Sequence, residues 1–247
     1  MPVISHDAPA FASGSSSGSL PSAANDGNAT SMWVSNSAPA WIAYDLSSVP
    51  VSQRQQVLVT WFAPRAPGYH NAVLTPEFQI PIDYTIEIHA SAATTPPTSE
   101  WTQVASVTGN SNNSRQHLVN LAGASWVRMR VTSSSNPASV AIDFDVHSAP
   151  AGASDSWLFM GDSITDWSSY LSSDLPARVN TLTPSRWPAV VGAAVGVSTT
   201  SSALNVINDT LAGYPGRFVA LCYGTNDRND SNFSNNLEAL VLKVIAA

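Results

Sequence analysis

Charged residues are scarce in this chain, and lysine and cysteine almost absent. Only 11% of its 247 residues are charged, and it has one lysine (Lys243) and one cysteine (Cys222). A single cysteine excludes an internal disulfide and argues against a zinc cluster, so we predict that Cys222 is a small buried hydrophobe. The formal net charge of −7 predicts no nucleic-acid or anionic-membrane partner.

Long apolar runs are also lacking. No stretch of about 18 apolar residues and no basic-then-apolar leader occurs, so no membrane span or signal segment is predicted. The polar surface must then be built largely from Ser, Thr and Asn. This composition is typical of a secreted protein, and we predict an extracellular or periplasmic location.

The residue pattern of the first part of the chain predicts β-strands. Short runs rich in β-branched and aromatic residues lie at 40–46, 56–62, 82–90, 101–107, 125–132 and 139–148, separated by Pro, Gly, Asn and Ser. Short strands between turn residues are typical of an antiparallel sandwich. We predict an all-β jelly-roll sandwich over residues 21–150, after a flexible Gly/Ser-rich lead-in at 1–20.

The pattern changes after a small-residue linker at 148–156. We predict strands at 157–160, 197–202 and 217–224 and helices at 186–196, 203–213 and 232–247. In the first of these helices Pro188 lies in the first turn and Gly196 follows the end. Strands alternating with helices predict a parallel α/β sheet over residues 151–247.

Two polar clusters follow the predicted strands of this second part. Gly161-Asp162-Ser163 follows the first strand, and Tyr223-Gly224-Thr225-Asn226-Asp227 follows the last. Both therefore lie at the carboxyl edge of the sheet, where ligands bind in such folds. Ser163 is placed there either as a nucleophile or as an ordinary helix cap. Asp162 and Asp227 are expected to brace their turns.

Together, "GDSIT" and "YGTND" resemble the SGNH (GDSL-type) hydrolases, over about residues 155–247. The resemblance implies a flavodoxin-like α/β/α domain, the nucleophile role for Ser163, and an oxyanion donor role for the Ser163 backbone N–H and the Asn226 side chain. It implies no cofactor for catalysis. A rigid amide aimed at the oxyanion contributes about 3 kcal/mol of transition-state stabilisation.

Two elements of that family pattern are missing. The stretch at 198–205 has no glycine to offer a third oxyanion N–H, so Ser201 or Ser202 would replace it. No Asp-x-x-His motif follows the third block, and all five histidines precede Ser163. We expect this domain to be incomplete here, the base coming from a longer chain, from a separate polypeptide or, least favoured, from His147.

The segment at the start of the predicted sandwich is rich in side chains whose oxygen atoms can bind a metal ion. In "NDGNATSMWVS" a turn brings together a carboxylate, an amide and hydroxyls, which suits either calcium or a simple Asx-turn. This stretch, with "WIAYDL", "DYTIEIHAS", "WTQVASVTGN", "VRMRVTSSS" and "AIDFDVHS", resembles discoidin-like, galactose-binding-fold modules. The resemblance implies a structural calcium held by Asp26, Asn28, Ser31 and Asp143.

Sugar-binding modules stack exposed aromatic rings on pyranose faces. Trp61, Tyr69 and Trp101 are candidates for this role, with core packing as the alternative, whereas Trp33 and Trp41 are predicted to be core. The full prediction is a serine esterase that deacetylates polysaccharide through an acyl-enzyme. The alternatives are a non-catalytic carbohydrate-binding protein with a broken hydrolase domain and a short-chain lipid or ester hydrolase.

Overall fold

The structure is a computed structural model that describes residues 1–27, 31–63, 79–165 and 194–247, and the backbone of 189–192. These residues form twelve strands: β1 Ala10–Ala12, β2 Trp33–Val34, β3 Ala40–Asp45, β4 Gln56–Phe62, β5 Pro81–His89, β6 Thr102–Val107, β7 Ser114–Asn120, β8 Trp126–Ser134, β9 Ala141–Ser148, β10 Ser156–Gly161, β11 Ala189–Gly192 and β12 Phe218–Cys222. They also form two α-helices, α1 Thr200–Ala212 and α2 Phe233–Ala246, and short 3-10 turns at Pro21–Ala24 and Val51–Gln53.

The predicted β-sandwich is confirmed. A five-stranded sheet in the order β1-β3-β8-β5-β6 faces a four-stranded sheet in the order β2-β9-β4-β7, and neighbouring strands are antiparallel. The two sheets share one apolar core. Within it Tyr44 stacks on Phe144 with ring centroids 5.2 Å apart, and its hydroxyl donates to the Phe144 carbonyl at 2.7 Å.

The first twenty residues belong to the fold, so the expectation of a flexible lead-in is wrong. β1 pairs with β3, and Val3 forms a bridge with His147. The Ile4 N–H donates to the Val146 carbonyl at 2.8 Å. Backbone pairing holds this segment, although its Gly/Ser content favours a loose chain.

The second part of the chain forms a parallel sheet in the order β11-β10-β12. The buried residues Leu158 and Met160 face α1 and α2, where they pack against Ala203, Ile207 and Leu240. Parallel strands with helices are thus confirmed for this unit. Neither helix among the described residues has the length and apolar character that crossing a bilayer requires.

Several predicted elements of this unit are wrong. Residues 189–192, placed in a helix, form β11, because Ala-Val-Val-Gly pairs with β10. Residues 197–202, placed in a strand, form a turn and the first residues of α1, which begins at Thr200 because Thr199 caps the helix. Gly213 does end α1 as predicted. Cys222 is exposed rather than buried, because β12 is an edge strand and its residues at both ends face solvent.

Side-chain contacts join the sandwich to the α/β unit. Asp209 of α1 accepts hydrogen bonds from Arg115 at 2.8 Å, Asn112 at 2.8 Å and Ser111 at 2.6 Å. Ser156 donates to Gln116 of β7. These polar contacts place the loop between β6 and β7 against the last turns of α1, and the start of β10 against β7.

Candidate functional site

The loop after β10 holds Ser163 at the carboxyl edge of the central strand. Gly161 ends that strand, and a Cβ there would lie 2.5 Å from the Thr165 hydroxyl and 2.8 Å from the Cys222 carbonyl, so only glycine fits. Asp162 is buried, and its Oδ1 accepts the Ile164 N–H at 2.9 Å. This bond braces the turn as predicted and leaves Ser163 partly exposed.

The loop after β12 lies beside the first loop, since Gly161 pairs with Cys222. The Asn226 amide donates to the Ser198 carbonyl at 3.1 Å. Buried Asp227 accepts the Thr200 N–H at 2.8 Å and the Thr200 hydroxyl at 2.6 Å. An anionic carboxylate at the first turn of α1 also suits the helix dipole.

Ser202 is not available as an oxyanion donor, contrary to the prediction. Its backbone N–H donates to the Thr199 side chain at 3.2 Å, and its hydroxyl accepts the Thr199 N–H at 2.9 Å. This reciprocal capping box uses the groups that the sequence offered to an oxyanion. The structure thus brings the Ser163 and Asn226 loops to the same carboxyl edge of the parallel sheet. Ser202 is no longer a candidate oxyanion donor.

A small cavity of about 30 Å³ lies between the two units, beside these loops. Ser111, Asn112 and Asn113 of the sandwich form one side of it. Ser198, Ser202 and Tyr223 of the α/β unit form the other. The sandwich therefore contributes polar groups close to the candidate hydrolase loops.

His147 does not serve as the base in this structure. It lies on β9 of the sandwich and is buried, with Nδ1 3.5 Å from the Met1 carbonyl. Burial lowers its pKa to about 4. His117 on β7 is also largely enclosed, and burial lowers its pKa to about 4. His70 lies outside the described residues.

Three of the four predicted calcium residues, Asp26, Ser31 and Asp143, lie near one another. The Ser31 hydroxyl donates to Asp26 at 2.6 Å. Burial, followed by the charges of Asp145 and Asp26, raises the pKa of Asp143 well above its ordinary value. Three carboxylates, those of Asp26, Asp143 and Asp145, thus lie close enough to repel one another, and a bound cation would offset that repulsion.

Asn28, the fourth predicted ligand, lies outside the described residues. Within the described part of the chain, no three His, Cys, Asp or Glu side chains are arranged to hold a metal by themselves. A calcium ion here would therefore depend on hydroxyl, amide and backbone oxygens besides Asp26 and Asp143. The calcium site stays a prediction.

Of the three predicted sugar-stacking residues, Trp61 is wrongly placed. It is 1% exposed, and its Nε1 donates to the Tyr84 hydroxyl at 3.0 Å inside the core. Tyr69 lies outside the described residues. Trp101 is partly exposed beside β6, where its Nε1 donates to the Pro97 carbonyl at 2.9 Å. Trp33 is buried as expected.

Trp101 belongs to a cluster on the outer face of the five-stranded sheet. The guanidinium carbon of Arg128 lies 4.0 Å from the Trp101 ring centroid and 5.9 Å from that of Trp41. Arg128 is held by Glu87, with Nε 2.7 Å from Oε2 and a second bond from Nη2. We call Trp41, Trp101, Arg128 and Glu87 the tryptophan face.

Sequence reasoning placed Trp41 in the core, which is wrong, and missed Arg128 and Glu87. The position of Trp41 could have been predicted from the alternation of residues in the run "AWIAYDL". Ile42 and Tyr44 point into the core, so the alternate residue Trp41 lies on the opposite face of the strand, where it is half-buried.

No family model and no curated protein matches the chain, so the resemblance to SGNH hydrolases stays a prediction. Solved structures do resemble it. Chitosan-binding module 1 of a chitosanase/glucanase from Paenibacillus sp. IK-5 is 21% identical with a TM-score of 0.44, over 60% of this chain and 99% of that one. A fucose-binding module from Streptococcus pneumoniae is 16% identical with a TM-score of 0.42, over 59% and 94%.

Proposed function

We propose that the sandwich binds a saccharide on the tryptophan face. The observation that carries this proposal is the pair of partly exposed rings, Trp41 and Trp101, that flank one ion-paired guanidinium. Indole rings stack on the apolar faces of sugars, and their large rigid surfaces lose little conformational entropy on binding. The position of the rings outside the core supports a role in recognition.

The orientation of Trp101 is fixed before any ligand arrives. One side of its ring packs on Arg128, its N–H is bonded to Pro97, and His89 contacts it at a centroid distance of 5.7 Å. The Arg128 and Glu87 side chains are only 13% and 9% exposed, so they act as a support beneath the rings. A preorganised platform of this kind binds at a lower entropic cost.

Affinity electrophoresis in gels containing soluble xylan, galactan or glycol chitosan tests this proposal. For a retarding polysaccharide, Trp101→Ala and Trp41→Ala should each weaken binding about 30-fold, which corresponds to about 2 kcal/mol. Trp157→Ala is the matched control, because Trp157 is 37% exposed on the α/β unit. Equal retardation of all four proteins would contradict the proposal.

Ester hydrolysis at Ser163 is a second candidate function. It is favoured by the convergence of the Ser163 and Asn226 loops at the carboxyl edge of adjacent parallel strands. In this mechanism the Ser163 oxygen attacks the ester carbonyl, the sugar alcohol leaves, and water then releases acetate from the acyl-enzyme. The Ser163 N–H and the Asn226 amide would bind the oxyanion.

The base that takes the serine proton would come from a group other than the largely enclosed His117 and the buried His147. We propose the remaining C-terminal part of a hydrolase domain, supplied as further or separate polypeptide, as its source. An unassisted serine hydroxyl is a poor nucleophile at neutral pH, so we expect slow turnover from this chain alone. An extracellular acetylated polysaccharide is the substrate we propose, because the sandwich could bind its sugar residues while Ser163 hydrolyses its acetyl esters.

Hydrolysis of p-nitrophenyl acetate tests the second candidate. Ser163→Ala should abolish the chain's activity above background, and Asn226→Ala should lower it about 100-fold, as the loss of an oxyanion donor does. Ser201→Ala, at an exposed position of α1, is the control and should retain the parent rate. Equal rates for the parent and Ser163→Ala would reject an active site in this chain.

A further inference from the structure

We propose that the ligand of the tryptophan face carries a carboxylate, as in a hexuronic-acid residue, and that Arg130 binds it. This inference rests on the proposed saccharide-binding function and names the class of sugar. Arg130 is exposed on β8, two residues after Arg128 and on the same face of the sheet.

Strand register places Arg130 in the centre of this face. It lies opposite Trp41 of β3 on one side and opposite Thr85 of β5 on the other. Directly opposed residues of antiparallel strands have Cβ atoms about 5 Å apart, so the guanidinium and the Trp41 ring are within reach of one ligand. A pyranose stacked on Trp41 would present its edge to Arg130.

The other arginines of the sandwich, within its described residues, are already engaged. Arg54 donates to the carbonyls of Gly123 and Ala124, Arg115 pairs with Asp209, and Arg128 pairs with Glu87. Arg130 has neither an ion pair nor a hydrogen bond within the described part of the chain. In a chain with ten cationic residues and a net charge of −7, an unengaged guanidinium beside a partly exposed indole favours an anion at this position of the sandwich.

The chemistry of the guanidinium points to a carboxylate. Its planar fork donates two parallel N–H bonds that match the two oxygens of a carboxylate. The adjacent carboxylate, Glu87, is occupied by Arg128 and also accepts the Thr85 hydroxyl at 2.9 Å. Glu87 is therefore not available to neutralise Arg130, and the ligand supplies the counter-charge.

Affinity electrophoresis against charged and neutral polysaccharides tests the inference. We expect polygalacturonate or glucuronoxylan to retard the parent protein strongly, and Arg130→Gln to lose at least tenfold in affinity for the retarding polymer. Arg130→Gln should bind unsubstituted xylan like the parent. Arg217→Gln, which removes an exposed arginine of the α/β unit, should leave binding to every polymer unchanged.

The outcomes separate the two proposals. If no polysaccharide, charged or neutral, retards the parent protein, the proposed function itself is overturned. If Trp101→Ala weakens retention on a polymer while Arg130→Gln leaves uronate binding at the parent level, saccharide binding stands and the role of Arg130 is overturned. A parent affinity for polygalacturonate that is insensitive to salt between 50 and 500 mM also contradicts the ion pair, because exposed charges are screened in this range.

Discussion

Asp227 ties the loop after β12 to the start of α1 through Thr200. One carboxylate oxygen, Oδ1, accepts both the backbone N–H and the hydroxyl of Thr200, at 2.8 and 2.6 Å. Because the neighbouring residue, Asn226, bonds to the Ser198 carbonyl, two successive residues of one loop hold the segment that leads into the helix. The geometry of the candidate hydrolase edge therefore depends on a residue that need not touch a substrate.

Asp227→Ala should lower the free energy of unfolding by about 1–3 kcal/mol, because it leaves two donors of Thr200 without their acceptor in a buried position. Asp227→Asn keeps one oxygen in place and should cost less. Urea denaturation measures both. Asp7→Asn is the control, since the Asp7 side chain is 83% exposed, and an equal loss in all three variants would contradict a specific role for Asp227.

Asp209 should stabilise the contact between the sandwich and the α/β unit. Asp209→Ala removes the acceptor of Arg115, Asn112 and Ser111, so we expect a loss of about 1–3 kcal/mol and faster proteolysis in the connecting residues 149–155. Asn208→Ala is the neighbouring control, because the exposed Asn208 side chain accepts a hydrogen bond from Lys243 of α2 and not from the sandwich, among the described residues. Unchanged proteolysis of Asp209→Ala would show that these bonds do not hold the units together.

His117 should make the sandwich sensitive to acid. The Tyr84 hydroxyl accepts from Trp61 Nε1 and lies 2.8 Å from Nε2 of His117, so it can donate its proton to a neutral ring there. Between the ordinary pKa of 6.5 and the folded value of about 4, the unfolded state binds more protons. The free energy of unfolding therefore falls as the pH falls through this window, by up to about 3 kcal/mol.

His117→Gln should flatten this acid dependence relative to the parent, measured by urea denaturation at pH 7.5, 6 and 4.5. His89→Gln is the control, because the partly exposed His89 lies beside Trp101 on the outer face of the five-stranded sheet, away from Asp145. If His117→Gln and the parent lose stability in parallel on acidification, the buried imidazole is not responsible.

The carboxylates of β9 should have the opposite effect to His117 and raise the free energy of unfolding as the pH falls. Burial, together with the charge of Asp26, raises the pKa of Asp145 to about 6. Between pH 6 and about 4 the folded state binds more protons, so the contribution of Asp145 to the free energy of unfolding rises as the pH falls through this window. Above pH 6 the ionised Asp145 carboxylate repels the charge of Asp26, and a bound calcium would offset that repulsion.

Calcium should accordingly raise the Tm more at pH 7.5 than at pH 5, and treatment with EDTA should reverse the effect. Asp145→Asn should raise the Tm of the calcium-free protein at pH 7.5, because it removes one of the repelling charges. Asp143→Asn should remove the response to calcium. A Tm that calcium leaves unchanged at both pH values would reject the metal site and leave only the electrostatic repulsion.

The strands of the sandwich could be predicted wherever a strand has one apolar face. The prediction at 139–148 matches β9 closely, because "AIDFDVHS" alternates apolar and polar residues. The prediction at 56–62 matches β4 for a different reason: its run is rich in β-branched and aromatic residues, and its five central residues are all buried. β7 was not predicted. Its sequence, "SRQHLVN", is mostly polar, yet Ser114, Arg115 and Gln116 are buried where the α/β unit packs against them.

The candidate sites, too, include residues that the sequence could predict and residues that only the structure revealed. The sequence by itself placed Ser163 and Asn226 at strand ends, because a polar cluster that directly follows an apolar run marks the edge of a sheet. It also determined the sandwich class through alternation and turn residues. Only the tertiary structure decided that Trp61 is core, that Trp41 and Trp101 flank Arg128, and that the Ser202 N–H is used in a helix cap. Those outcomes depend on which strands become neighbours, and residues far apart in the chain meet only when the sheets have formed.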